Sequence, residues 1–506
     1  MRVSVVVPIY NPGDGFDDLI RSLDRQTLPR DQFEVILCDD ASDADSAARL
    51  DEVARTRDNV SVLHLPRTGW PGTPRNHGID AARGTYVFFS DQDDYLYDDA
   101  LERLCDFADA NRSDVIIGKV VGIGRRLPRA IFRHDIARAQ LGRDPLLEML
   151  TPHKMFRTQF LRDNGIRFPD GKVRLEDHLF VMRAYFAADV ISVLASTPCY
   201  AWVNNAGSAS SSRIDPVTYF PSLVAVLDVV EANTEPGPLR AKLLRHWYRG
   251  KILKRLAGAR VMKWPDEYRE TFLDVVTPIA QRYFDDEVQA GLAYPERVRS
   301  AILRHGSRDD LLRFAAFEAA MACTAEVTAA RWTRAGVLEL TVSASVAPSP
   351  EDAVEAFPEG VGAKSPSHRA DRIDVIVHDA ASRTERRTPG PRGKDVRSLR
   401  VKFDPATVFA RRDASLGGRL TAEVRVAGWV FEVPLRAAPG VVEGLGHSPL
   451  LAGRPVRLLA DADGVLEFRR SSRGGTRDDL ARLLRRPSAA VRRVAGRAGR
   501  AVLRKG

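Results

Sequence analysis

Short apolar stretches alternating with segments of helical spacing constrain the fold of the first hundred residues most strongly. The stretches are rich in β-branched and aromatic side chains and occupy residues 3–9, 33–37, 60–65 and 86–89. Runs of this length and composition are typical of strands buried on both faces of a parallel sheet. Helical spacing at 17–26 and 76–83 separates them. The alternation predicts a doubly wound α/β sheet, in which ligands bind at the carboxyl ends of the strands.

Acidic residues directly follow two of these predicted strands. Asp39 and Asp40 follow the second strand, and Asp91 and Asp93 lie in the turn after the fourth. Carboxylates crowded at the end of a buried strand repel one another unless a cation lies beside them. Two carboxylates at i and i+2 can turn toward one hard cation such as Mg2+ or Mn2+, which would hold a diphosphate. The alternative is a solvated acidic turn, because Asp-x-Asp is a short and common pattern.

The remainder of the chain predicts further domains. A chain of 506 residues is too long for a single core. Further helices are predicted at 98–110, 143–150, 176–188, 222–231 and 239–256. Short alternating strands separated by Pro- and Gly-rich turns begin near residue 320, which is typical of an all-β sandwich. We therefore expect an α/β domain, a helical linker, a β-sandwich and a basic tail at residues 1–215, 216–316, 320–467 and 468–506.

The charge of +9 belongs mainly to the C-terminal tail. From residue 469 to 505 there are 13 Arg or Lys against two Asp, a charge of about +11. Leu and Val at partly helical spacing fit a basic amphipathic helix on an anionic membrane, and the alternative is a solubilising tail. The absence of interleaved aromatic residues argues against nucleic-acid binding. Four scattered cysteines and the lack of a long apolar run indicate a cytoplasmic protein with reduced thiols.

An ordered set of short motifs extends over the first 215 residues. They are Pro-Ile-Tyr-Asn at 8–11, Asp-Asp-Ala-Ser at 39–42, Pro-Arg-Asn-His-Gly at 74–78, Asp-x-Asp at 91–93, Lys-Met-Phe-Arg at 154–157 and Glu-Asp-His at 176–178. As a set they closely resemble the family 2 inverting glycosyltransferases with the GT-A fold. The Glu-Asp-His motif, Trp202, the helical linker and the β-sandwich narrow the resemblance. They are similar to the bacterial wall teichoic acid N-acetylglucosaminyltransferases that modify polyol-phosphate chains.

The resemblance implies how the first strands would bind a UDP-sugar. Pro8 and Tyr10 would lie beside the uracil and ribose, and Asp40 would accept the uracil N3 proton. Asp39 would be its structural neighbour or a ribose contact. The alternative for this acidic pair is a helix cap. Ala41 stands where glycine is frequent in the family, which predicts a stiffer loop.

The diphosphate and metal would be held by the next two motifs, according to the same resemblance. Arg75 and Asn76 would reach the nucleotide or its diphosphate, since a guanidinium is suited to phosphate. Their alternative role is to begin a helix. Asp93 would be the main ligand of Mn2+ or Mg2+, and Asp91 would bind the sugar or ribose side.

The Glu-Asp-His motif would supply the catalytic base. Asp177 would take the proton of the acceptor hydroxyl, because an inverting transfer needs a carboxylate on the far face of the sugar. Glu176 beside it would raise its pKa or only cap the helix, and His178 would be a supporting residue. The alternative is that Glu-Asp opens a helix as ordinary capping residues.

The implied function is a metal-dependent inverting transfer of a sugar from a UDP-sugar to a hydroxyl of a polyanionic or lipid-linked cell-wall polymer. GlcNAc is the expected sugar, and UDP-glucose or UDP-galactose fit the same nucleotide site. One alternative is a non-catalytic carbohydrate- or cell-wall-binding protein on a decayed transferase fold, and another is a family 2 transferase for a different polysaccharide. Intact Asp40, Asp91, Asp93 and Asp177 favour the enzyme. Peripheral attachment at the inner membrane face and a homo-oligomer are further expectations.

Overall fold

The computed structural model describes residues 1–128, 130–204, 213–353, 367–379, 384–392, 399–403, 417–446, 448 and 456–470. These residues form two compact units. The first holds Met1–Met321 with the described part of 348–366, and the second holds Ala322–Ala347 with the described residues from Ser367 onward. The predicted basic tail lies outside the described residues from 471 to its end.

The N-terminal part of the first unit alternates strands and helices. Its strands are β1 (Val3–Ile9), β2 (Phe33–Asp39), β3 (Val60–His64), β4 (Tyr86–Phe89), β5 (Tyr95–Leu96), β6 (Val115–Ile123), β7 (Ile136–Ala139), β8 (Met155–Arg157) and β9 (Ile191–Val203). Its helices are α1 (Gly15–Asp24), α2 (Ala44–Arg55), α3 (Gly72–Ala81), α4 (Ala100–Asn111), α5 (Thr158–Asp163) and α6 (Glu176–Ala187).

These strands form one mixed sheet in the order β3-β2-β1-β4-β8-β6-β9-β5, with β7 paired to β9. The strands β1, β2, β3 and β4 are parallel to their neighbours within this group, and β8 is antiparallel to β4. All residues of β2 and β4 are buried, and so are those of β1 except Pro8. The predicted doubly wound α/β domain is confirmed, because continuous apolar strands need cover on both faces.

A helical region completes the first unit. It contains α7 (Pro216–Ala232), α8 (Pro238–Trp247), α9 (Gly258–Met262), α10 (Asp266–Tyr283), α11 (Asp286–Ala290), α12 (Tyr294–His305) and α13 (Arg308–Ala320). The single helix predicted at 239–256 is α8 followed by a π-helical segment, Tyr248–Leu253. The predicted linker end at residue 316 falls inside α13. Within the described parts of the chain, no helix is long and apolar enough to cross a membrane.

The second unit is built from strands, as the sequence predicts. They are β10 (Ala322–Trp332), β11 (Leu338–Ala347), β12 (Arg372–Asp379), β13 (Thr384–Thr388), β14 (Leu399–Phe403), β15 (Gly417–Val426), β16 (Trp429–Ala437), β17 (Val456–Ala460) and β18 (Leu466–Arg470). Their main order is β13-β12-β15-β16-β10-β11-β14, and β18 pairs with both β15 and β17. Alternate residues of these strands, among them Val327, Leu340 and Val375, form a continuous apolar core. The C-terminal all-β sandwich is thus confirmed.

The helix predicted at 143–150 is wrong. The structure has only a short 3-10 turn there, Leu146–Glu148. Gly142 lies in the left-handed region with φ +84°, and Pro145 follows without a backbone N–H to donate. The Asp144 carboxylate also accepts a hydrogen bond from the Gln140 backbone N–H at 2.7 Å. A side chain that satisfies the local backbone in this way favours a turn over a helix.

Candidate active site

The sheet brings the first two predicted motifs and the acidic turn to one edge. In the register, Ile9 lies beside Asp39, and Val6 lies beside Phe89, so β1 and β2 end together and β4 ends toward the same edge, three residues earlier. The Gln92 side chain then joins two of the following loops: it accepts a hydrogen bond from the Tyr10 N–H at 2.8 Å and donates to the Tyr10 carbonyl at 3.1 Å. The prediction of a shared site at the strand ends agrees with this placement.

Asp40 is a buried carboxylate held in one orientation. Its oxygens accept hydrogen bonds from the Thr68 N–H at 2.6 Å, the Thr68 hydroxyl at 2.7 Å and the Gly69 N–H at 2.7 Å. An ionised carboxylate has about four acceptor sites, so one more donor can still bind. The guanidinium of Arg67 lies 3.7 Å from Asp40 and stacks on the ring of Tyr10, 3.4 Å from its centroid. Tyr10 is 43% exposed, and the stacked pair therefore offers a planar surface beside a fixed acceptor.

Asp39 supports the same loop from inside the sheet. Its carboxylate accepts from the Ser42 N–H at 3.0 Å and lies 2.8 Å from Nδ1 of His64. Ala41 between these acidic residues and Ser42 has φ +56°, a left-handed conformation that favours glycine. This explains why glycine would be frequent there. These bonds are those of a structural neighbour of Asp40, and the alternative role of Asp39 as a ribose contact stays a prediction.

Arg75 links the acidic turn to the predicted catalytic base. Its side chain is 4% exposed and places Nη2 2.9 Å from Asp91 Oδ1 and Nη1 3.0 Å from Asp177 Oδ1. Glu176 Oε1 lies 3.9 Å from Nη1. A planar guanidinium can serve two carboxylates on separate segments, which a point charge cannot do with the same geometry. Arg75 is therefore the centre of the site in this structure.

Asn76 lies beside Arg75 on α3 but is used differently. Its amide donates to the Phe168 carbonyl at 2.9 Å and accepts from the Phe168 N–H at 2.9 Å. The side chain is buried, and both of its polar atoms serve the backbone. Asn76 thus holds the Phe168 segment against α3, and its predicted contact with the nucleotide stays a prediction.

The acidic turn contains one carboxylate beside cationic groups and one that is buried without a cationic partner among the described residues. Burial alone would raise the pKa of Asp91, but His153 and Arg75 beside it lower that pKa. The His153 Nε2 atom lies 2.9 Å from Asp91 Oδ2. Burial, and after it the charge of Asp91, raise the pKa of Asp94 to about 8. The Asp94 oxygens accept from the Tyr200 hydroxyl and the Val203 N–H, both at 2.7 Å.

A divalent cation fits the donor chemistry of this turn. Among the described residues, Asp91, Asp94 and His153 can each bring one ligand atom within 4.8 Å of the others. Asp93, the predicted main ligand, is not one of these three and is partly exposed. Both oxygens of Asp94 are already held by hydrogen bonds, whereas the buried Nδ1 of His153 has no partner. Carboxylate oxygens are the ligands that Mg2+ and Mn2+ prefer, so an ion at this edge remains consistent with the residues present.

The predicted base lies in the first turn of α6. Burial, and after it the neighbouring Glu176 carboxylate, raise the pKa of Asp177 to about 7, while Arg75 acts in the opposite direction. Burial likewise raises the pKa of Glu176. A carboxylate that titrates near neutrality is suited to accept and release a proton. The raised pKa of Asp177 is compatible with the general-base role, which stays a prediction.

Several residues around the site were not assigned a role from the sequence. Tyr200 donates to Asp94 and accepts from the Asp91 N–H at 3.0 Å, and His153 stacks on Tyr200 with ring centroids 4.6 Å apart. Lys154 is fully buried, which lowers its pKa to about 7. The Lys-Met-Phe-Arg motif marks this neighbourhood, but nothing local in the sequence indicates that His153 contacts Asp91. Its partner is 62 residues away in the chain.

The mixed sheet with its parallel β1–β4 group, the acidic turn after β4 and the carboxylate opening α6 define a GT-A-type glycosyltransferase domain. The model for glycosyl transferase family 2 matches residues 4–175, and the model for the glycosyl transferase TarS linker domain matches residues 216–315. The chain belongs to glycosyl transferase family 2.

Three curated relatives are named as poly(ribitol-phosphate) glycosyltransferases. The Bacillus spizizenii poly(ribitol-phosphate) beta-glucosyltransferase is 33% identical over 48% of this chain and 39% of its own length. The Staphylococcus aureus poly(ribitol-phosphate) beta-N-acetylglucosaminyltransferase TarS is 35% identical over 46% and 42%, respectively. The corresponding TarP is 30% identical over 50% of this chain and 79% of its own length. The aligned region therefore spans about two fifths of the first two relatives.

Solved structures of TarS show the same architecture. S. aureus TarS 1–349 in complex with UDP-GlcNAc matches with a TM-score of 0.55 and 27% identity, over 63% of this chain and 90% of that one. The longer S. aureus TarS structure matches with a TM-score of 0.57 and 21% identity, over 94% and 86%, respectively. At that identity the second match bears on the fold alone.

Proposed function

We propose that this protein transfers a sugar, with inversion, from a UDP-sugar to a hydroxyl of a polyol-phosphate polymer of the teichoic acid type. The observation that carries the proposal is the single guanidinium of Arg75 between Asp91 on the donor side and Asp177 on α6. This guanidinium joins the acidic turn to a carboxylate whose pKa is raised to about 7. The relatives named for poly(ribitol-phosphate) support the class of acceptor.

In the proposed reaction the acceptor oxygen attacks the anomeric carbon of the sugar. The bond between that carbon and the UDP oxygen breaks, and UDP leaves with the electron pair. Asp177 takes the proton of the acceptor hydroxyl as the new bond forms, so the attacking oxygen does not become positively charged. Tyr10 and Asp40 would bind the uracil, and Asp91 would hold the sugar side. A divalent cation held by the acidic turn, with Asp93 as its main ligand, would offset negative charge on the leaving group.

The identity of the sugar is part of the proposal. UDP-GlcNAc is the proposed donor, because a related TarS structure contains it and two of the three relatives are named for N-acetylglucosamine. The glucosyltransferase relative makes UDP-glucose the main competitor. Release of UDP from UDP-GlcNAc, UDP-glucose and UDP-galactose, with and without Mn2+ and with poly(ribitol phosphate), distinguishes them.

The decisive variant in this assay is Asp177→Asn, which removes the base and keeps the size of the side chain. We expect a loss of about 10^2- to 10^4-fold in kcat with donor binding retained. Asp45→Asn is the matched control, because Asp45 is also the second residue of its helix, α2, and is exposed. Retention of more than about a tenth of kcat in Asp177→Asn would remove Asp177 from this role. Absence of UDP release with every donor would instead favour a non-catalytic binding protein.

A further inference from the structure

The helix that carries Asp177 begins without local support. The residue before it, Leu175, has φ +57° and ψ +26°, the left-handed conformation, and no side chain caps the helix. Among the described helices of this unit, α2, α7, α11 and α13 have an N-cap side chain that accepts a backbone N–H, whereas α6 and the others do not, and α6 differs from them by the left-handed residue before it. A branched non-glycine residue in this conformation persists only where surrounding contacts hold it. The first turn of α6 therefore depends on tertiary contacts.

Two side chains hold that turn: one comes from a helix that precedes α6 in the chain, and the other comes from a helix that follows it. Arg75 contacts Asp177 from α3, as described above. The second contact comes from the helical region, where the indole Nε1–H of Trp247 donates to Nδ1 of His178 at 3.1 Å. Trp247 is completely buried, and the ring of His246 packs edge-on against it at 5.2 Å. His178 is the next residue after Asp177, so this bond fixes the backbone beside the base.

The chemistry of the bond admits one arrangement. An indole N–H can only donate, so Nδ1 of His178 must carry no proton. Burial, and after it the charge of Lys251, lower the pKa of His178 well below its ordinary value. The imidazole is therefore neutral at physiological pH and can accept the bond.

The backbone directly after Trp247 departs from regular α-helical geometry. Trp247 ends α8, and the π-helical segment Tyr248–Leu253 follows at once. Single π-helical turns are rare and occur frequently at functional sites. The next side chain, Tyr248, bonds Ser300 on α12 at 2.7 Å and stacks on Phe284 with centroids 3.9 Å apart. Adjacent aromatic residues are thus anchored in different places, Trp247 to α6 and Tyr248 within the helical region.

We infer that Trp247 is a positioning residue for the transfer reaction, because it holds the first turn of α6 and so places the Asp177 carboxylate. This inference rests on the proposed function. The helical region then contributes to catalysis through one hydrogen bond as well as through packing. Misplacement of a reacting group by about 1 Å can cost on the order of 100-fold in rate.

The test compares two neighbouring aromatic residues. Trp247→Phe keeps an aromatic ring and removes the N–H that bonds His178. Tyr248→Phe is the matched control, because it removes one buried hydrogen bond from the same segment without touching α6. We expect Trp247→Phe to lower kcat for UDP release about tenfold with the donor KM within twofold of the parent. Tyr248→Phe should keep kcat within twofold, and thermal unfolding of both variants records any common loss of stability.

A double-mutant cycle with His178→Ala separates the bond from the side chains. If Trp247 acts through His178, the double variant is no slower than the slower single variant. Equal kcat in Trp247→Phe and the parent, an equal loss in Tyr248→Phe, or multiplicative losses in the double variant would each overturn the inference.

A second measurement needs no turnover and keeps the inference separate from the proposed function. Hydrogen exchange of the peptide covering residues 175–182 reports the stability of the first turn of α6. Trp247→Phe should speed exchange there at least fivefold, and Tyr248→Phe should not. Unchanged exchange in Trp247→Phe overturns the inference even if the parent releases UDP. Faster exchange in a protein that releases no UDP would support the positioning contact and contradict only the proposed function.

Discussion

The ionisation of Asp177 results from opposing neighbours. Burial and the Glu176 carboxylate raise its pKa, and Arg75 at 3.0 Å lowers it, with a net value of about 7. The free protein should therefore hold a mixture of ionised and protonated Asp177 at neutral pH. Since only the ionised form can take the acceptor proton, the ionisation of this carboxylate limits activity at acid pH.

We expect kcat/KM to rise about tenfold per pH unit below a pKa of about 7 and to level off above it. The sign follows from the base role, because deprotonation creates the active form. Glu176→Gln removes a negative neighbour, so the acidic limb should move to lower pH. A pH profile of UDP release for the parent and this variant tests both statements. A limb near pH 4 in the parent, or no movement in Glu176→Gln, would contradict them.

The role of Asp93 can be distinguished from that of other carboxylates in the same segment by measuring how Mn2+ changes the affinity for UDP. In Asp93→Ala we expect UDP to bind without the increase in affinity that Mn2+ gives the parent, because the proposed main ligand is gone. Asp98→Ala is a suitable control, since Asp98 is an exposed carboxylate of the same segment, paired with Arg25 at 3.1 Å. Calorimetry with UDP in the presence and absence of Mn2+ measures the effect. Equal metal response in Asp93→Ala and the parent would refute the assignment.

The residues that the sequence could identify are those whose chemistry is local. Asp91 and Asp177 carry recognisable motifs, and the structure joins them through Arg75. Tyr200 could not be assigned, because its role as a bridge between Asp94 and the Asp91 backbone depends on pairing across more than a hundred residues. A separation of 69 residues likewise hides the contact of Trp247 with His178.

At the scale of elements, α3 is held against the sheet by a close approach that only glycine allows. A Cβ added to Gly78 would lie 2.2 Å from Cγ1 and 2.9 Å from Cγ2 of Val6 in β1. Neither side can give way easily, because Val6 is fully buried in a central strand. The position of α3 matters beyond packing, since the helix carries Arg75.

Gly78→Ala should destabilise the protein by about 2 kcal/mol and weaken UDP binding, because α3 must move away from β1. The double variant Gly78→Ala/Val6→Ala removes both Val6 methyl groups and should recover part of the UDP affinity. Thermal unfolding and UDP calorimetry on the two variants and on Val6→Ala alone measure this. Failure of the double variant to bind UDP better than Gly78→Ala would show that the contact with Val6 does not set the position of α3.

Secondary-structure elements were predictable where the residue composition and the hydrophobic periodicity of a segment indicate the same structure. The buried strands β1, β2 and β4 lie where apolar runs place them. The predicted helix at 143–150 failed because side-chain bonds and Pro145 favour a turn. The π-helical segment after Trp247 has helical spacing in the sequence, and periodicity alone does not distinguish it from an α-helix.

At the scale of the molecule, the end of the first unit determines where the chain can be divided. The buried guanidinium of Arg299 on α12 pairs with Glu318 near the end of α13, and both side chains are less than a tenth exposed. Removal of one member of a buried pair leaves an uncompensated charge, which typically costs about 3–5 kcal/mol. A boundary at the predicted residue 316 would do this, whereas Met321 lies beyond the pair.

A protein ending at Met321 should retain UDP-sugar hydrolysis and transfer poorly to long polymers, because the second unit would add avidity for a repeating acceptor. A protein ending at Ala316 should be less stable by several degrees in thermal unfolding. Turnover with short and long poly(ribitol phosphate), compared with the full chain, measures the first effect. Undiminished transfer to the long polymer would leave the β-sandwich without this role.

Arg75 also bears on how natural variation in this family can be interpreted. The two carboxylates to which it donates hydrogen bonds lie 16 and 102 residues away in the chain, on segments that share no local sequence context. A lysine at position 75 would keep the charge, yet one ammonium cannot occupy both positions that the two guanidinium nitrogens fill. Exchanges at positions 75, 91 and 177 are therefore constrained as a group. A hybrid protein that takes the segment with residues 75 and 91 from one relative and the segment with residue 177 from another keeps these contacts only if all three positions match.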